Sequence, residues 1–424
     1  MGAPLAWPGV PGFQAPAGTF DVLPPESSRY EALVARFAEH VARAGYGSAV
    51  TPMFEDVGVF ERLGQSTDVV RKEMYDFEDK GGRHLALRPE GTASVARAYI
   101  QRRPTLPFKA WYVGPIFRYE RPQAGRYRQH HQLGIEALGS HDPDLDVEVL
   151  ALASGFYAAL GLTRVRLRLT SLGDAACRPA YRDQLQRHLE ARRDQLCEEH
   201  RDRIEENPLR VLDCKREACR TAAADAPRMV GNLCDPCRSH FARVTAGLAA
   251  LGVDFELDPS LVRGLDYYTR TTFEFTSDAL EFAHSGAGGG GRYDGLVEAL
   301  GGPPTPGIGF GLGIERILLT CDAEGTFPAP GLGLDVFVID TTGGEGARDV
   351  TVELRAAGLR ADRAFDQRSW KSQMKAALRS EAPLAVVLED GEASIRTLRQ
   401  KGEAERADRS TLVEHVEKKL SELR

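Results

Sequence analysis

The sequence predicts an α+β chain: a strand-rich unit flanked by helices, a mostly helical insertion, and a small α/β unit at the C-terminal end. Three observations carry that reading. Strand-like alternation gathers at about 83–140 and returns at 262–276 and 305–312. The segment 175–250 between them is helical in pattern, highly charged and rich in cysteine. Beyond the Gly/Pro-rich "CDAEGTFPAPGLG" (321–333) the pattern changes to strand–helix–strand. At 424 residues the chain exceeds one ordinary core, so more than one domain is expected. The expected division is 1–325, holding the insertion at about 175–250, a linker at 326–333, and a C-terminal domain at 334–424.

The elements follow in order. Tyr30, Leu33, Val34, Phe37 and Val41 share one face of a helix over 26–44, and Gly45 stops it. "YGSAVTP" reads as a strand ended by Pro52. Strands surround a helix at 92–102, a second apolar-faced helix occupies 145–160, and "RVRLRL" alternates as a strand does. The C-terminal unit contains "LDVFVID", a helix near 346–357, and "LAVVLED".

Composition narrows the class. The chain is 42% hydrophobic and 27% charged without an apolar run near the ~18 residues of a membrane helix, so no membrane association is expected. The N-terminus has no basic region followed by an apolar stretch, so no signal peptide is read and a cytoplasmic location is expected. A net charge of −7 argues against a general nucleic-acid coat, yet local basic patches still suit phosphate. Seven cysteines, an odd number, argue against a secreted disulfide framework. Cys214-x4-Cys219 and Cys234-x2-Cys237, with Cys197-x2-His200 upstream, have spacings that suit zinc. Reduced thiols in a helical insert are the simpler explanation, and no metal site is assigned.

"FRYERPQAGRYRQHH" (117–131) concentrates four arginines in a chain of net negative charge. Residues 111–120 and 126–137 each read as strands joined by "RPQAG". Even positions then share a face: Arg118 and Glu120, then Arg126, Arg128, His130, Gln132 and Glu136. Phe117, Tyr119, Tyr127, Leu133 and Ile135 fall on the other, apolar face. If Glu120 opposes Arg126, Arg118 opposes Arg128, and like charges opposite each other destabilise a strand pair unless an anion lies between them. Guanidinium forks match phosphate, so this face reads as a phosphate-binding floor rather than a solvated one.

"TPGIGFGLGIERILLT" (305–320) places Gly307, Gly309, Gly311 and Gly313 at every second residue, leaving one strand face bare for a flat ring or another backbone. Close packing is the alternative. Glu315 and Arg316 then open a helix beside that surface. "LVRGLDYYTRTTFEF" (261–275) presents Arg263, Asp266, Tyr267 and Tyr268. "GAGGGGRYDGL" (286–296) lacks the Lys-Ser/Thr of a Walker motif and reads as a tight turn between strands. In "LRPEGTA", Glu90 and Thr92 stand at a helix start, where an N-cap and a dipole-favoured carboxylate are the simpler explanations.

Together these segments resemble a class II aminoacyl-tRNA synthetase, and among these the histidyl-tRNA synthetase family. "FRYERPQAGRYRQHHQ" is similar to the family's motif 2, "GIGFGLGIERI" to motif 3, and the helix–strand unit ending at Pro52 to motif 1. The histidine-specific signatures are "LVRGLDYYTRTTFEF" and "GGGRYDGL". The resemblance implies an antiparallel catalytic sheet flanked by helices, a homodimer formed through motif 1, and a C-terminal α/β anticodon-binding domain. It also implies the reaction: ATP, with Mg²⁺, and L-histidine form histidyl-adenylate, and the histidyl group passes to the 3′ end of tRNA(His).

By the same resemblance Arg118 would hold the α-phosphate, and Arg126 and Arg316 the γ-phosphate. Arg263 would bridge the substrate carboxylate and α-phosphate, and Glu120 would contact adenine or a metal. Glu90, Thr92 and Gln132 would hold the α-amino group, with Tyr293 lining that pocket. Glu136 and Tyr268, beside Tyr267, would read the imidazole. Arg121, Gln123 and Arg128 resemble positions that meet the tRNA acceptor end. Three departures stand out: His130 occupies the position of the phenylalanine that stacks on adenine, "PAGTFD" replaces a more basic run, and the end of the C-terminal domain matches poorly, so no anticodon-reading residues are assigned. Two other readings exist. One is the family's non-catalytic paralogue, the histidine-binding regulatory subunit of ATP phosphoribosyltransferase. It is disfavoured by the presence of Arg118, Arg263 and Arg316 and by the C-terminal unit. The other is a class II enzyme for a different amino acid.

Overall fold

The computed structural model describes residues 13–62, 68–123, 125–206, 208–212, 214, 216–261, 267–280, 286–330, 333–366, 368–389, 392–398 and 404–423. They form two compact units. One comprises Tyr30–Pro328 with the segment ending at Asp21, and the other Val22–Arg29 with Ala329–Arg424.

The first unit is organised on an eight-stranded sheet. Its strand order is Gly47–Ser48, Phe108–Phe117, Gln129–Leu138, Gly307–Gly313, Gly286–Arg292, Thr269–Ser277, Val165–Ser171 and Glu256–Leu257. The inner pairs are antiparallel and the two short edge strands pair parallel. The expected arginine hairpin forms, with Phe117 opposite Gln129 and Phe108 opposite Leu138, so its regular pairing lies farther from the turn than predicted. Past the strand ends the Arg118 N–H still donates to the Arg128 carbonyl at 2.8 Å, which preserves the predicted opposition of those residues.

Helices cover this sheet. Glu26–Ala42 buries Leu33, Phe37 and Val41, and Pro143–Ala159 buries Val149, Leu150, Ala153 and Phe156 in the same apolar cluster. That cluster continues into the insertion through Tyr181, Leu185, Leu189, Phe241 and Val244, so the insertion shares the sheet's core. Thr92–Arg102 forms where its pattern predicts a helix. The "YGSAVTP" strand shrinks to Gly47–Ser48, paired with Ala110 and Trp111, and the Ala49 N–H makes a last bond to the Trp111 carbonyl at 2.8 Å.

The glycine run at 286–292 is a strand, which corrects the reading of it as a turn. A Cβ on Gly290 would overlap the Gly309 carbonyl, and one on Gly291 would lie 2.8 Å from the Thr271 carbonyl. The absence of side chains lets the backbones of neighbouring strands close up.

The second unit has a five-stranded sheet in the order Ala361–Arg363, Val336–Asp340, Leu384–Glu389, Glu392–Thr397 and Glu405–Ala407. The first three strands are parallel and the rest antiparallel. Val336–Asp340 is buried throughout, as a central parallel strand covered on both faces should be. Among the described residues no helix is long and apolar enough to cross a membrane.

Candidate active site

Three predicted arginines meet at a cavity of about 440 Å³ above the hairpin and the glycine-rich strands, lined by Arg118, Glu120, Arg126, Tyr127, His130, Gln132, Glu274, Glu315 and Arg316. Each guanidinium is aimed by a local partner. Arg118 Nε donates to the Pro89 carbonyl at 2.8 Å, just before the helix Thr92–Arg102. Arg126 pairs with Glu120, as the sequence predicts. Arg316, in the first turn of Ile314–Glu324, donates Nε to the Gly125 carbonyl at 2.9 Å and Nη1 to that of Gly286. Burial and the neighbouring Arg126 push the Arg316 guanidinium below its ordinary value. Crowded cations in a concave site await an anion.

His130 lies in the floor of this cavity. Burial, then the Arg118 and Arg316 charges, lower its pKa to about 3, so the ring is neutral at physiological pH. The adjacent His131 offers its backbone N–H to Glu315 at 2.9 and 3.0 Å and its Nδ1 at 2.9 Å. Glu315 thereby ties the start of the helix carrying Arg316 to the hairpin. The sequence reading placed Glu315 only as a helix opener, because its partner lies 184 positions away in the chain.

Arg128 departs from the predicted face. It does not line the cavity; its guanidinium lies 3.9 Å from the Tyr119 ring centroid, and its Nε donates to the Glu120 carbonyl at 3.2 Å. The pleat has lapsed by this point, since regular pairing stops at Gln129 and the Arg128 N–H turns to the Gly18 carbonyl. Tyr127, predicted for the apolar face, lines the cavity and packs on Phe20 with centroids 4.7 Å apart. Arg121 and Gln123 are exposed in the turn.

Farther along the strand Gln129–Leu138 lies a buried acidic pocket. Glu90 accepts the N–H groups of Thr92 at 2.8 Å and Ala93 at 2.7 Å, capping the helix that follows, and accepts the Tyr267 hydroxyl at 3.2 Å. Thr92 is therefore not the N-cap; its hydroxyl donates to Glu136 at 2.7 Å. Glu136 also accepts the Tyr293 hydroxyl. Burial raises its pKa to about 8 and pushes the Glu90 carboxyl up as well. Tyr267 lies between Tyr268 and Tyr293, with ring centroids 4.8 and 6.0 Å away. Gln132 joins the two regions: it lines the cavity and accepts from Tyr112 at 3.3 Å. Tyr112 was missed, since nothing in its neighbourhood marks it as polar.

The alternating glycines have a side-chain explanation here. A Cβ on Gly307 would overlap the Tyr293 ring, on Gly309 the Glu136 carboxylate, and on Gly311 the Gln132 amide. Three of the pocket residues occupy the face those glycines leave bare. Behind the pocket, fully buried Arg292 donates Nε to Asp146 at 2.9 Å and Nη2 at 2.5 Å. Asp146 also accepts from Thr271 at 2.6 Å and lies 2.7 Å from His240 Nε2. Against the cost of burial, His240 and Arg292 keep the Asp146 carboxyl below its usual range. Arg263 lies outside the described residues.

The antiparallel sheet, with its arginine hairpin and glycine strand running into Arg316, defines a class II aminoacyl-tRNA synthetase fold. The family model described as Histidyl-tRNA synthetase matches residues 18–317. A histidine–tRNA ligase of Moorella thermoacetica is 48% identical over 95% of this chain and 97% of its own length. One of Rhodococcus erythropolis is 51% identical over 90% of each chain. The crystal structure of apo S. aureus histidyl-tRNA synthetase superposes with a TM-score of 0.81 at 35% identity, covering 96% of this chain and 100% of that one. The chain belongs to the histidyl-tRNA synthetase family.

Proposed function

We propose that the family's reaction, activation of L-histidine by ATP and transfer of the histidyl group to tRNA(His), runs across the two adjoining regions described above. The observation that carries this reading is their complementary charge, gathered from several elements around the strand Gln129–Leu138: three converging guanidiniums towards one end and two buried carboxyls towards the other. ATP occupies the cavity. Arg118 takes the α-phosphate, and Arg126 and Arg316 the γ-phosphate. Glu90, Thr92 and Gln132 hold the α-ammonium of histidine against Tyr293, while Glu136 and Tyr268, beside Tyr267, read the imidazole. A carboxylate oxygen of histidine attacks the α-phosphorus, the bond to the β-phosphate oxygen breaks, and pyrophosphate leaves. Two anions must approach each other in that step, and the guanidiniums offset the repulsion. Arg263 is assigned the bridge between substrate carboxylate and α-phosphate.

Glu120 and Glu274 bring carboxylate oxygens into the cavity, the donor type that suits Mg²⁺. With ATP bound they would hold the ion, which neutralises phosphate charge. In the second step a terminal ribose hydroxyl of the tRNA attacks the acyl carbon of the adenylate, the bond from that carbon to the phosphate oxygen breaks and AMP leaves, with Arg121, Gln123 and Arg128 contacting the acceptor end. The domain assignment 1–325, 326–333 and 334–424 is proposed with it, the last domain binding the anticodon. A homodimer is proposed through the motif 1 segment, where Val50 is 96% exposed and Met53 and Phe54 are each 50% exposed. A second copy would cover this apolar run. The protein is proposed to work in the cytoplasm, where its tRNA is.

Charging of a tRNA(His) transcript with labelled histidine tests the whole sequence. Transfer to that transcript and not to another tRNA is expected. Adenylate formation without transfer would overturn the second half of the assignment. Sedimentation at micromolar concentration should give twice the mass of one chain, and a monomer would remove the dimer.

A further inference from the structure

The cysteines of the insertion take no part in this chemistry, yet they are not scattered. Among the described residues two groups of potential metal ligands assemble: Cys197, His200, Cys214 and Cys219, and separately Asp174, Cys177, Cys234 and Cys237. The sequence spacing had joined Cys214 and Cys219 with Cys234 and Cys237; the fold divides them and supplies each pair with different partners. In each group the ligand atoms all lie within 4.8 Å of one another. We propose that each group binds one zinc ion, the first holding the short helices of the insertion together and the second also tying the insertion to the catalytic sheet.

The geometry fits one ion per group. Cys197 Sγ lies 3.1 Å and Cys219 Sγ 3.8 Å from His200 Nδ1. In the second group Cys177 Sγ is 3.1 Å from Cys234 Sγ and 3.4 Å from Asp174 Oδ1, and Cys234 Sγ is 3.9 Å from that oxygen. Ligands around a tetrahedral zinc are separated by roughly 3.5–3.8 Å, given its usual bond lengths. None of the seven cysteines is in a disulfide. Three sulfurs per group select a soft or borderline ion over Mg²⁺ or Ca²⁺. Convergence of four donors on one point distinguishes the groups from an iron–sulfur cluster, whose thiolates attach to separate irons.

Backbone donors already reach two of the sulfurs. The Cys197 N–H donates to Cys219 Sγ and the Cys234 N–H to Cys177 Sγ, each at 3.2 Å, as the backbone does around a metal-bound sulfur. On zinc binding the thiol protons leave to solvent. The elements being held also need such a staple. Glu198–Arg201 and Leu209–Leu212 are four residues each and Glu217–Ala222 is six, far below the length at which a helix persists alone. The second site further connects the insertion to the sheet. Asp174 offers Oδ1 to the cysteines and Oδ2 to Arg270 at 3.4 Å, and the Arg270 N–H donates to the Gly173 carbonyl at 2.7 Å. Arg270 lies in the strand Thr269–Ser277, directly after the Tyr267–Tyr268 pair.

The test is elemental analysis of untagged, full-length protein by plasma mass spectrometry, which reads metal content and not catalysis. Two zinc ions per chain are expected, falling to one in Cys219→Ser, one in Cys237→Ser, and none in the double variant. Because a variant can fail to fold, the wild-type protein is also refolded with Co²⁺. Intense visible absorption of tetrahedral cobalt–thiolate is expected at two equivalents. Protein without metal whose cysteines all react with a thiol reagent would overturn the proposal. So would metal-free protein in which Cys177 and Cys234 are found as a disulfide, or protein carrying iron in place of zinc.

Discussion

The arginine cavity and the acidic pocket lie along one strand, Gln129–Leu138, and solve opposite electrostatic problems. In the cavity the charges remain: guanidiniums cannot give up their protons, so they are held apart by backbone carbonyls at Pro89, Gly125 and Gly286. In the pocket the charge is removable, and burial lifts Glu136 to about 8, so the carboxyl keeps its proton at neutral pH. His130 shows the same rule from the other side, losing its proton to burial beside the arginines. A site for a polyanion can be built from fixed charges at element ends, whereas the adjoining pocket uses buried carboxyls whose ionisation burial opposes.

The largest effect should come from the residue assigned to both substrates. Arg263→Ala should fold normally and bind histidine, yet lose about a hundred- to a thousandfold in pyrophosphate exchange, the usual cost of one transition-state donor. A near-normal exchange rate would remove its assigned role. Arg316→Ala should raise the KM for ATP about tenfold or more while leaving the KM for histidine unchanged, as loss of a charged phosphate contact predicts. If both constants rise together, the two regions are not separable in the way described.

The pocket side is tested through packing and protons. Gly309→Ala places a methyl group against the Glu136 carboxylate and the Ile135 carbonyl on the facing strand; it should destabilise the protein by about 1–3 kcal/mol and weaken histidine binding, measured by thermal melts with and without histidine. An unchanged melt would mean the glycine face is not needed there. Histidine binding at pH 7 should release a proton: Glu136 is protonated in the free pocket below about 8, and the imidazole N–H it reads, with the α-ammonium held nearby at Glu90, favours its ionised form. The release should fade as pH rises through about 8, and calorimetry in buffers of different ionisation enthalpy reads it directly. Release that does not depend on pH would point to another group. The smallest effect is His130→Phe, expected to tighten ATP binding about two- to tenfold through better stacking; unchanged or weaker binding would remove the stacking argument.

Much of this was legible in the sequence because the relevant patterns are local. The period of two in the hairpin and in Gly307–Gly313 placed strands and faces, and the opposition of Arg118 to Arg128 followed from it. Where the strand period lapses, so does the reading: Arg128 and Tyr127 exchange sides beyond Gln129. The strand at Gly286–Arg292 was misread because glycine marks turns more often than closely packed strands. Glu315, Tyr112 and the Asp146–Arg292–His240 cluster depend on partners distant in the chain, which no local pattern shows. The cysteine spacings were visible, but their division into two groups came only with the fold.

The central claim is that the cationic cavity takes ATP and the adjoining acidic pocket takes histidine. ATP–pyrophosphate exchange, run separately with each of the twenty amino acids, tests it most directly. Exchange with histidine alone is the predicted result. Exchange with another amino acid, or none with any while histidine still binds, would contradict it.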